Sequence, residues 1–209
     1  MTVTRVAIIL LAAGRSSRMG EGSTNKVLEL FGGKPLVQQL AEFAVRSKGS
    51  DVVVVTGQHH DTIATALGDL SLSVMLNQRF STGMASSIRT GLERVATQSD
   101  GVLVMLGDMP LVATPHLDSL IDAFTQHRGR VIVRAVAGGK PGNPVILPAE
   151  LYPFLVDLKG DTGARKLLAS SDIPIVDVEI GEAALIDIDT PEALASAKAL
   201  FRKQASAAN

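Results

Sequence analysis

The amino-terminal stretch VAIILLAAGRSSRMG constrains the fold more than any other part of the chain. An apolar run from Val6 to Leu11 ends abruptly in a glycine-punctuated, basic segment that extends from Ala12 to Gly20. Such a run predicts a buried β-strand that leads into an exposed loop. Glycines permit close approaches that a side chain would prevent, so successive N–H groups of this loop can converge on an anion. We therefore place the functional site at this junction.

Three cationic side chains follow the strand within twelve residues, at Arg15, Arg18 and Lys26. Together with the glycines they predict a polyphosphate site. A surface turn with a solvated basic face is the alternative that this segment leaves open. The segment contains neither G-x-x-x-x-G-K-[ST] nor G-x-G-x-x-G, so it is not one of the two better-known phosphate-binding fingerprints.

Composition limits the class of protein. A chain of 209 residues suits one domain, which we predict to span residues 1–204, with a frayed carboxyl-terminal tail at 205–209. No apolar stretch is long enough to span a membrane and no leader pattern is present, which predicts a cytoplasmic protein. The absence of cysteine excludes disulfides and thiolate zinc sites. A net charge of −1 and 3% aromatic residues argue against nucleic-acid binding.

Apolar runs alternate with helical periodicity along the rest of the chain. We predict strands at 51–56, 72–76, 101–106, 130–136 and 184–188, and helices at 35–47, 61–67, 84–95, 115–124 and 190–201. Because most of the apolar runs do not alternate in polarity, they indicate parallel strands that are covered on both faces. The predicted fold is a single-domain, doubly wound α/β fold with a mostly parallel sheet. Ligands of such sheets bind outside the carboxyl ends of the strands.

Aspartates lie at or just after the ends of two of the predicted strands. Asp108 comes directly after the run 101–106, where a divalent cation shared with phosphate would compensate the cost of burying its carboxylate. Its alternative role is that of a turn or N-cap residue before Pro110. Asp187 and Asp189 alternate, so on a strand they point to opposite faces. Because Asp189 can instead cap the last helix, we favour Asp187 as the second metal ligand.

Three further segments carry candidate polar residues. The segment from Asn77 to Gly91 enters a helix that Ser81 or Thr82 can cap. The glycine-rich loop at 138–144 has the composition of any compact connection. In GDTGAR, at 160–165, Asp161 or Thr162 can cap a helix, and Arg165 can bind a phosphate or form a surface salt bridge.

These motifs resemble those of the MobA-like nucleotidyltransferases, which have a Rossmann-like nucleotidyltransferase fold. Every position from Leu11 to Gly20 fits the signature L-A-[AG]-G-x-S-x-R-M-G, and GMASSI, LGDMP, GNP and GDTGAR match later family motifs. Within the superfamily the chain is most similar to molybdenum cofactor cytidylyltransferases. It departs from them in the longer spacing between Gly20 and Lys26, in Asn143 at a position that is usually histidine, and in Ala193 at a usual aspartate.

The resemblance implies a Mg²⁺-dependent transfer of CMP from CTP to the phosphate of the molybdenum–molybdopterin cofactor, with release of pyrophosphate. A molybdenum hydroxylase is then the expected recipient of the product. The implied catalytic residues are Arg18, Lys26 and Asp108, and the implied metal ligands are Asp108 and Asp187. The implied nucleotide-binding residues are Leu11, Ala12, Ala13, Gly14, Arg15, Ser16, Arg18, Lys26, Gly83, Ser86 and Ser87. The acceptor would contact Gly142, Asn143, Pro144, Asp161 and Arg165.

Other functions are also compatible with the sequence. Some MobA-like proteins are NAD(P)H-dependent reductases, notably one that acts on a blue pigment of nicotine breakdown. A non-catalytic carrier of the molybdenum cofactor is a further class. Among transferases, sugar-phosphate and methylerythritol-phosphate acceptors fit the same motifs.

Overall fold

The computed structural model describes residues 4–14, 25–157, 160 and 171–207, the last five of these in their backbone only. The strands are β1 (Val6–Ala12), β2 (Leu30–Phe31), β3 (Lys34–Pro35), β4 (Val52–Thr56), β5 (Ser73–Leu76), β6 (Gly101–Leu106), β7 (Ile132–Ala137), β8 (Lys140–Pro148) and β9 (Ile175–Glu179). The α-helices described are α1 (Leu36–Arg46), α2 (His60–Leu67), α3 (Met84–Val95), α4 (Thr114–Gln126), α5 (Tyr152–Asp157) and α6 (Pro191–Ala207).

Seven of these strands form one sheet in the order β5-β4-β1-β6-β8-β7-β9, and β2 and β3 pair separately. The first strand is central and runs parallel to both of its neighbours, β4 and β6. Strand β8 is antiparallel to β6 and β7, whereas β9 is parallel to β7. The prediction of an α/β fold with a mostly parallel sheet is therefore confirmed.

The sheet is buried on both faces, which explains the continuous apolar runs. Ile8 and Leu10 of β1 pack on one face together with α1, α2 and α4, while Ala7 and Ile9 pack on the other with α3 and α5. Successive residues of a strand point to opposite faces, so a doubly covered strand must be apolar throughout. A Cβ atom at Gly91 would lie 2.6 Å from Ile9 Cγ2. Glycine at this position therefore lets α3 lie close to β1.

The predicted glycine-rich loop at 138–144 is mostly strand. Gly138 and Gly139 form the turn between β7 and β8 with φ angles of +54° and +76°, and Lys140 already begins β8. A two-residue hairpin turn with positive φ at both positions favours glycine. The glycines therefore serve the hairpin, and the segment that follows them pairs with β6 and β7 as the antiparallel strand.

The predicted strand at 184–188 is wrong. Gly181–Ala184 is a short 3-10 helix, and residues 186–189 are irregular. The strand that completes the sheet is β9 (Ile175–Glu179), which lies upstream of the predicted segment and was not predicted from the sequence. The Ile188 N–H group bonds to the Asp108 carbonyl at 3.0 Å. This segment therefore wraps the end of β6 instead of extending the sheet.

The last helix begins where the sequence predicts and extends past residue 204. The Ala193 N–H group bonds to Thr190 Oγ1 at 3.2 Å, so Thr190 caps α6. Ala197 is fully buried, and Leu194 and Phe201 pack against the core, which agrees with the predicted inward face. In the part of the chain that is described, no helix is long and apolar enough to cross a membrane.

Candidate active site at the carboxyl edge of the sheet

The three central parallel strands end close together. The Gly107 N–H group, just after β6, bonds to the Leu11 carbonyl of β1 at 2.9 Å. A Cβ atom at Gly107 would lie 2.7 Å from that carbonyl oxygen, and one at Gly57, just after β4, would lie 3.1 Å from the Ala13 carbonyl oxygen. Glycine therefore allows the backbones to meet at this edge. The edge is where α/β sheets bind ligands.

Lys26 enters this edge on a short 3-10 turn. The side chain of Asn25 accepts a hydrogen bond from the Val27 N–H group at 3.3 Å, and the Asn25 carbonyl accepts one from Leu28 N–H at 2.7 Å. Val27 is buried beneath the turn. These contacts fix the backbone and leave the Lys26 side chain directed to the strand ends, where only 9% of the residue is exposed.

The Lys26 ammonium bridges two carboxylates from distant parts of the chain. Its Nζ atom lies 2.6 Å from Asp108 Oδ2 and 2.6 Å from Asp189 Oδ1. Burial opposes the charged form of this lysine, but the two carboxylates outweigh burial and raise its pKa. Lys26 is therefore a cation at neutral pH. This contact brings together the segment after the glycine loop, the end of β6 and the start of α6.

A third carboxylate, that of Asp187, lies within electrostatic range of the same cluster. Partial burial and then the charges of Asp108 and Asp189 raise its pKa, and Lys26 acts in the opposite direction. Because Asp187 is still exposed to solvent, these effects are screened in solution. Among the described residues, Lys26 thus contacts two carboxylates, and a third influences the cluster through its charge. The excess of negative charge favours binding of a further cation.

Asp108 Oδ1 has the surroundings expected of a metal ligand. It is buried and has no hydrogen-bond partner in the part of the chain that is described, although a buried unpaired carboxylate oxygen is costly. Within the same residues, no three His, Asp or Glu side chains stand close enough to hold a metal ion by themselves. Magnesium is usually held by one or two carboxylates together with phosphate oxygens and water. The donor set therefore fits a hard divalent cation that is shared with a phosphorylated ligand.

The predicted nucleotide-binding residues are only partly described. Leu11 and Ala12 end β1, and Ala13 and Gly14 follow them at the same edge. Gly83 precedes α3 with a φ of +111° and no side-chain cap, so neither Ser81 nor Thr82 caps this helix. Arg15, Ser16 and Arg18 lie outside the described residues, and so do Asp161 and Arg165 of the predicted acceptor site.

The hydroxyl groups of Ser86 and Ser87 share a partner that the sequence analysis did not single out. The buried side chain of Asn77 donates to Ser86 Oγ at 2.8 Å and to Ser87 Oγ at 3.0 Å. Its own oxygen accepts from the Arg79 N–H group at 2.9 Å. The signal in the sequence is a single asparagine directly after the predicted strand at 72–76. Asn77 fixes the start of α3 relative to the end of β5.

Gly142, Asn143 and Pro144 lie in β8, and the Asn143–Pro144 peptide bond is cis. A Cβ atom at Gly142 would overlap the Ala184 carbonyl group. Glycine here therefore lets the 3-10 helix Gly181–Ala184 rest on β8. The residues that follow this helix carry Asp187 and Asp189, so Gly142 helps to position the acidic cluster from outside it.

Comparison with known proteins agrees with this geometry. The family model of the MobA-like NTP transferase domain matches residues 8–175. The purine catabolism protein PucB of Bacillus subtilis (strain 168) is 28% identical over 197 residues, which cover 88% of this chain and 91% of PucB. Nicotine blue oxidoreductase of Paenarthrobacter nicotinovorans is 29% identical over 197 residues, which cover 88% of this chain and 92% of that protein.

Two further comparisons concern coverage and fold. The bifunctional protein GlmU of Sinorhizobium medicae (strain WSM419) is 29% identical over 136 residues, but the match spans only 29% of its length. The crystal structure of Rv0371c from Mycobacterium tuberculosis H37Rv is similar with a TM-score of 0.83 and 26% identity, covering 95% of this chain and all of that one. Because the family match extends over most of the chain and the sheet has the expected topology, this protein belongs to the MobA-like NTP transferase family.

Proposed function

We propose that this protein transfers CMP from CTP to the phosphate of the molybdenum–molybdopterin cofactor and releases pyrophosphate. The observation that carries the proposal is the buried Lys26 ammonium between Asp108 and Asp189. This cluster lies at the edge where the glycine-containing segment leaves β1. A phosphate-binding segment beside an acidic cluster that fits a divalent cation is what nucleotidyl transfer requires.

In the proposed reaction, an oxygen of the acceptor phosphate attacks the α-phosphorus of CTP and the bond to the β-phosphate breaks. The β- and γ-phosphates would rest on N–H groups of the segment from Ala13 onward, with the charge of Lys26, Arg15 and Arg18 nearby. Magnesium, held by Asp108 and Asp187, would neutralise charge on the phosphates. Such a reaction needs positioning and charge stabilisation more than a covalent protein group. Among the described residues, Lys26 and Asp108 support this proposal, because they place a cation and a carboxylate at the end of β6.

CTP is proposed as the donor because LAAG, at Leu11–Gly14, resembles the cytidine-using branch of the family. The acceptor is proposed from the wider resemblance to molybdenum cofactor cytidylyltransferases. A molybdenum hydroxylase is the expected recipient of the product. A transfer to another phosphorylated acceptor would use the same cluster, since the acceptor contacts come from other loops. The acceptor is therefore the part of the proposal that a direct assay must decide.

A second candidate function is an NAD(P)H-dependent reduction. It is favoured by the similarity to nicotine blue oxidoreductase over 88% of this chain. We rank it second because hydride transfer from a nicotinamide requires no acidic cluster beside a phosphate-binding segment. A non-catalytic cofactor carrier ranks third for the same reason.

The test is a thermal-shift comparison of CTP, GTP, ATP, UTP and NADPH, each with and without Mg²⁺. A ligand at about 100 times its Kd adds roughly 2.7 kcal/mol, which moves the Tm of a chain of this size by several degrees. We expect the largest shift for CTP with Mg²⁺, followed by release of pyrophosphate when the molybdenum cofactor is added. A shift with NADPH that does not depend on Mg²⁺ would instead favour the reductase. CTP binding without release of pyrophosphate in the presence of any phosphorylated acceptor would favour the carrier.

Gly14 provides a first test of the phosphate-binding segment. No described atom lies within 4 Å of a Cβ atom built at Gly14. Gly14→Ala is therefore expected to leave the free energy of unfolding within about 0.5 kcal/mol of the wild type. If the phosphates approach this backbone, the added methyl group should weaken CTP binding roughly 10- to 100-fold. Isothermal titration with CTP and urea denaturation measure the two effects.

The same change at Gly107 is the control, because the space there is filled by protein. Its Cβ atom would press on the Leu11 carbonyl of β1, so Gly107→Ala should lower the free energy of unfolding by about 2 kcal/mol. Unchanged CTP affinity in Gly14→Ala would remove this position from the nucleotide site.

A further inference from the structure

We propose that Lys26 is the resident counter-cation of the acidic cluster, and that its ammonium must leave Asp108 and Asp189 before a divalent cation is held there. Metal and nucleotide then bind cooperatively, because the nucleotide phosphates give Lys26 another partner. The cooperative binding of metal and nucleotide rests on the proposed function. The displacement of Lys26 by a divalent cation concerns only the lysine, the carboxylates and the metal.

The contacts of Lys26 carry the first step. Its Nζ atom lies 2.6 Å from an oxygen of each of two carboxylates, so it occupies the place where their negative potential is greatest. The Lys26 and Asp108 side chains are mostly buried, with 11% and 18% of their surfaces exposed. Repulsion between two cations in such a site is screened less than it is in water. A divalent ion that enters the cluster therefore competes with the ammonium.

The lysine side chain can move while its backbone stays in place. The bond from Val27 N–H to the Asn25 side chain and the burial of Val27 hold the turn. The flexible four-carbon stem of lysine carries a point charge that accepts any nearby anion as a partner. The phosphates of a bound nucleotide are such an anion. Lys26 can therefore exchange carboxylates for phosphates without refolding of the turn.

Lys26 does not bind every carboxylate oxygen of the acidic cluster, as the second oxygen of Asp108 shows. Asp108 Oδ1 is buried and unpaired among the described residues, and Asp187 adds a further negative charge nearby. The cluster thus keeps an affinity for a second cation, which Lys26 opposes. This arrangement predicts weak binding of metal alone and stronger binding of metal with nucleotide. Linkage requires that metal strengthens nucleotide binding by the same factor.

The experiment measures Mn²⁺ binding without nucleotide, by electron paramagnetic resonance of the free ion. Lys26→Met removes the charge and keeps the length of the side chain, and it is expected to bind Mn²⁺ roughly 5- to 150-fold more tightly than the wild type. Lys26→Arg keeps the charge and should bind as weakly as the wild type. Adding Asp108→Asn to Lys26→Met should abolish the gain. Equal or weaker Mn²⁺ binding by Lys26→Met would overturn the proposal.

Lys48 provides a matched control at the amino ends of the parallel strands, since it precedes β4. Its Nζ atom lies 2.6 Å from Asp122 Oδ2, and its N–H group bonds to Asp118 Oδ1 at 2.8 Å. Lys48→Met also takes an ammonium away from aspartates but should leave Mn²⁺ affinity unchanged. A gain equal to that of Lys26→Met would show a general charge effect and would contradict the proposal.

The wild type gives an independent answer if Lys26→Met does not fold. We expect CTP to tighten Mn²⁺ binding by a factor in the same range, and Mn²⁺ to tighten CTP binding equally. Bound CTP that leaves the Mn²⁺ affinity unchanged would overturn the coupling. If no nucleotide binds at all, the proposed function fails, while a tighter Mn²⁺ complex of Lys26→Met would still support the resident counter-cation.

Discussion

Asp108→Asn is expected to lower kcat for CMP transfer on the order of 10³-fold, the largest effect among the substitutions considered. The change keeps the shape of the side chain but replaces one carboxylate oxygen by an amide nitrogen, and so removes the negative charge beside Lys26. Lys26 retains Asp189 as a partner. The loss of stability should therefore stay below the 3–5 kcal/mol that breaking an isolated buried pair costs. Steady-state pyrophosphate release and urea denaturation measure the two effects.

Asp177→Asn is the control for this substitution. Asp177 of β9 pairs with Arg134 of β7 at 2.9 Å, far along the sheet order from β1 and β6. Removing a partly exposed ion pair costs about 0–1 kcal/mol, and kcat should not change. If Asp108→Asn also retained kcat within a few-fold of the wild type, Asp108 would be a turn residue and not part of the catalytic site.

Gly142→Ala is expected to lower the free energy of unfolding by about 3 kcal/mol, at the upper end of the effects of overpacking. The added methyl group would overlap the carbonyl of the buried Ala184. Strand β8 is held between β6 and β7, so the segment around Ala184 must move instead. Because Asp187 and Asp189 follow this segment, the same change should also weaken Mn²⁺ binding.

Urea denaturation of a double variant tests whether the methyl group at position 142 overlaps the backbone or the side chain of Ala184. Ala184→Gly removes a side chain but keeps the backbone carbonyl, so it should not restore stability to Gly142→Ala. Full restoration by Ala184→Gly would show that the contact lies between side chains. Gly14→Ala, whose added methyl group would contact none of the described atoms, should leave the free energy of unfolding unchanged.

Much of the fold is predictable from local patterns. The runs that became β1, β4 and β6 are apolar at successive positions because both faces of the sheet are covered. Helix α3 follows from the spacing of Ile88, Leu92 and Val95, all of which are buried. The edge that carries the site follows from the parallel order of the strands. Lys26 and Asp108 both lie at that edge, as the sequence predicts.

The final strand was assigned to the wrong segment for a physical reason. The sequences IVDVE, which forms β9, and LIDID, which contains Asp187 and Asp189, both alternate between apolar and acidic residues. Alternation of this kind suits any half-buried extended segment. The choice between them depends on which segment reaches the free edge of β7. Ile175–Glu179 pairs there, whereas the second segment is held at β6 through Ile188 and the Asp108 carbonyl.

The sequence by itself determined the layered α/β fold and predicted that the candidate site lies at the carboxyl ends of β1 and β6. These features depend on hydrophobic period and on glycines, which are local properties of the chain. Only the tertiary structure decided that Asp189 pairs with Lys26. Lys26 and Asp189 are 163 residues apart, and their contact depends on how β8, the helix Gly181–Ala184 and the end of β6 pack together. No local pattern encodes such a contact, because it results from the close approach of backbones at Gly107 and Gly142.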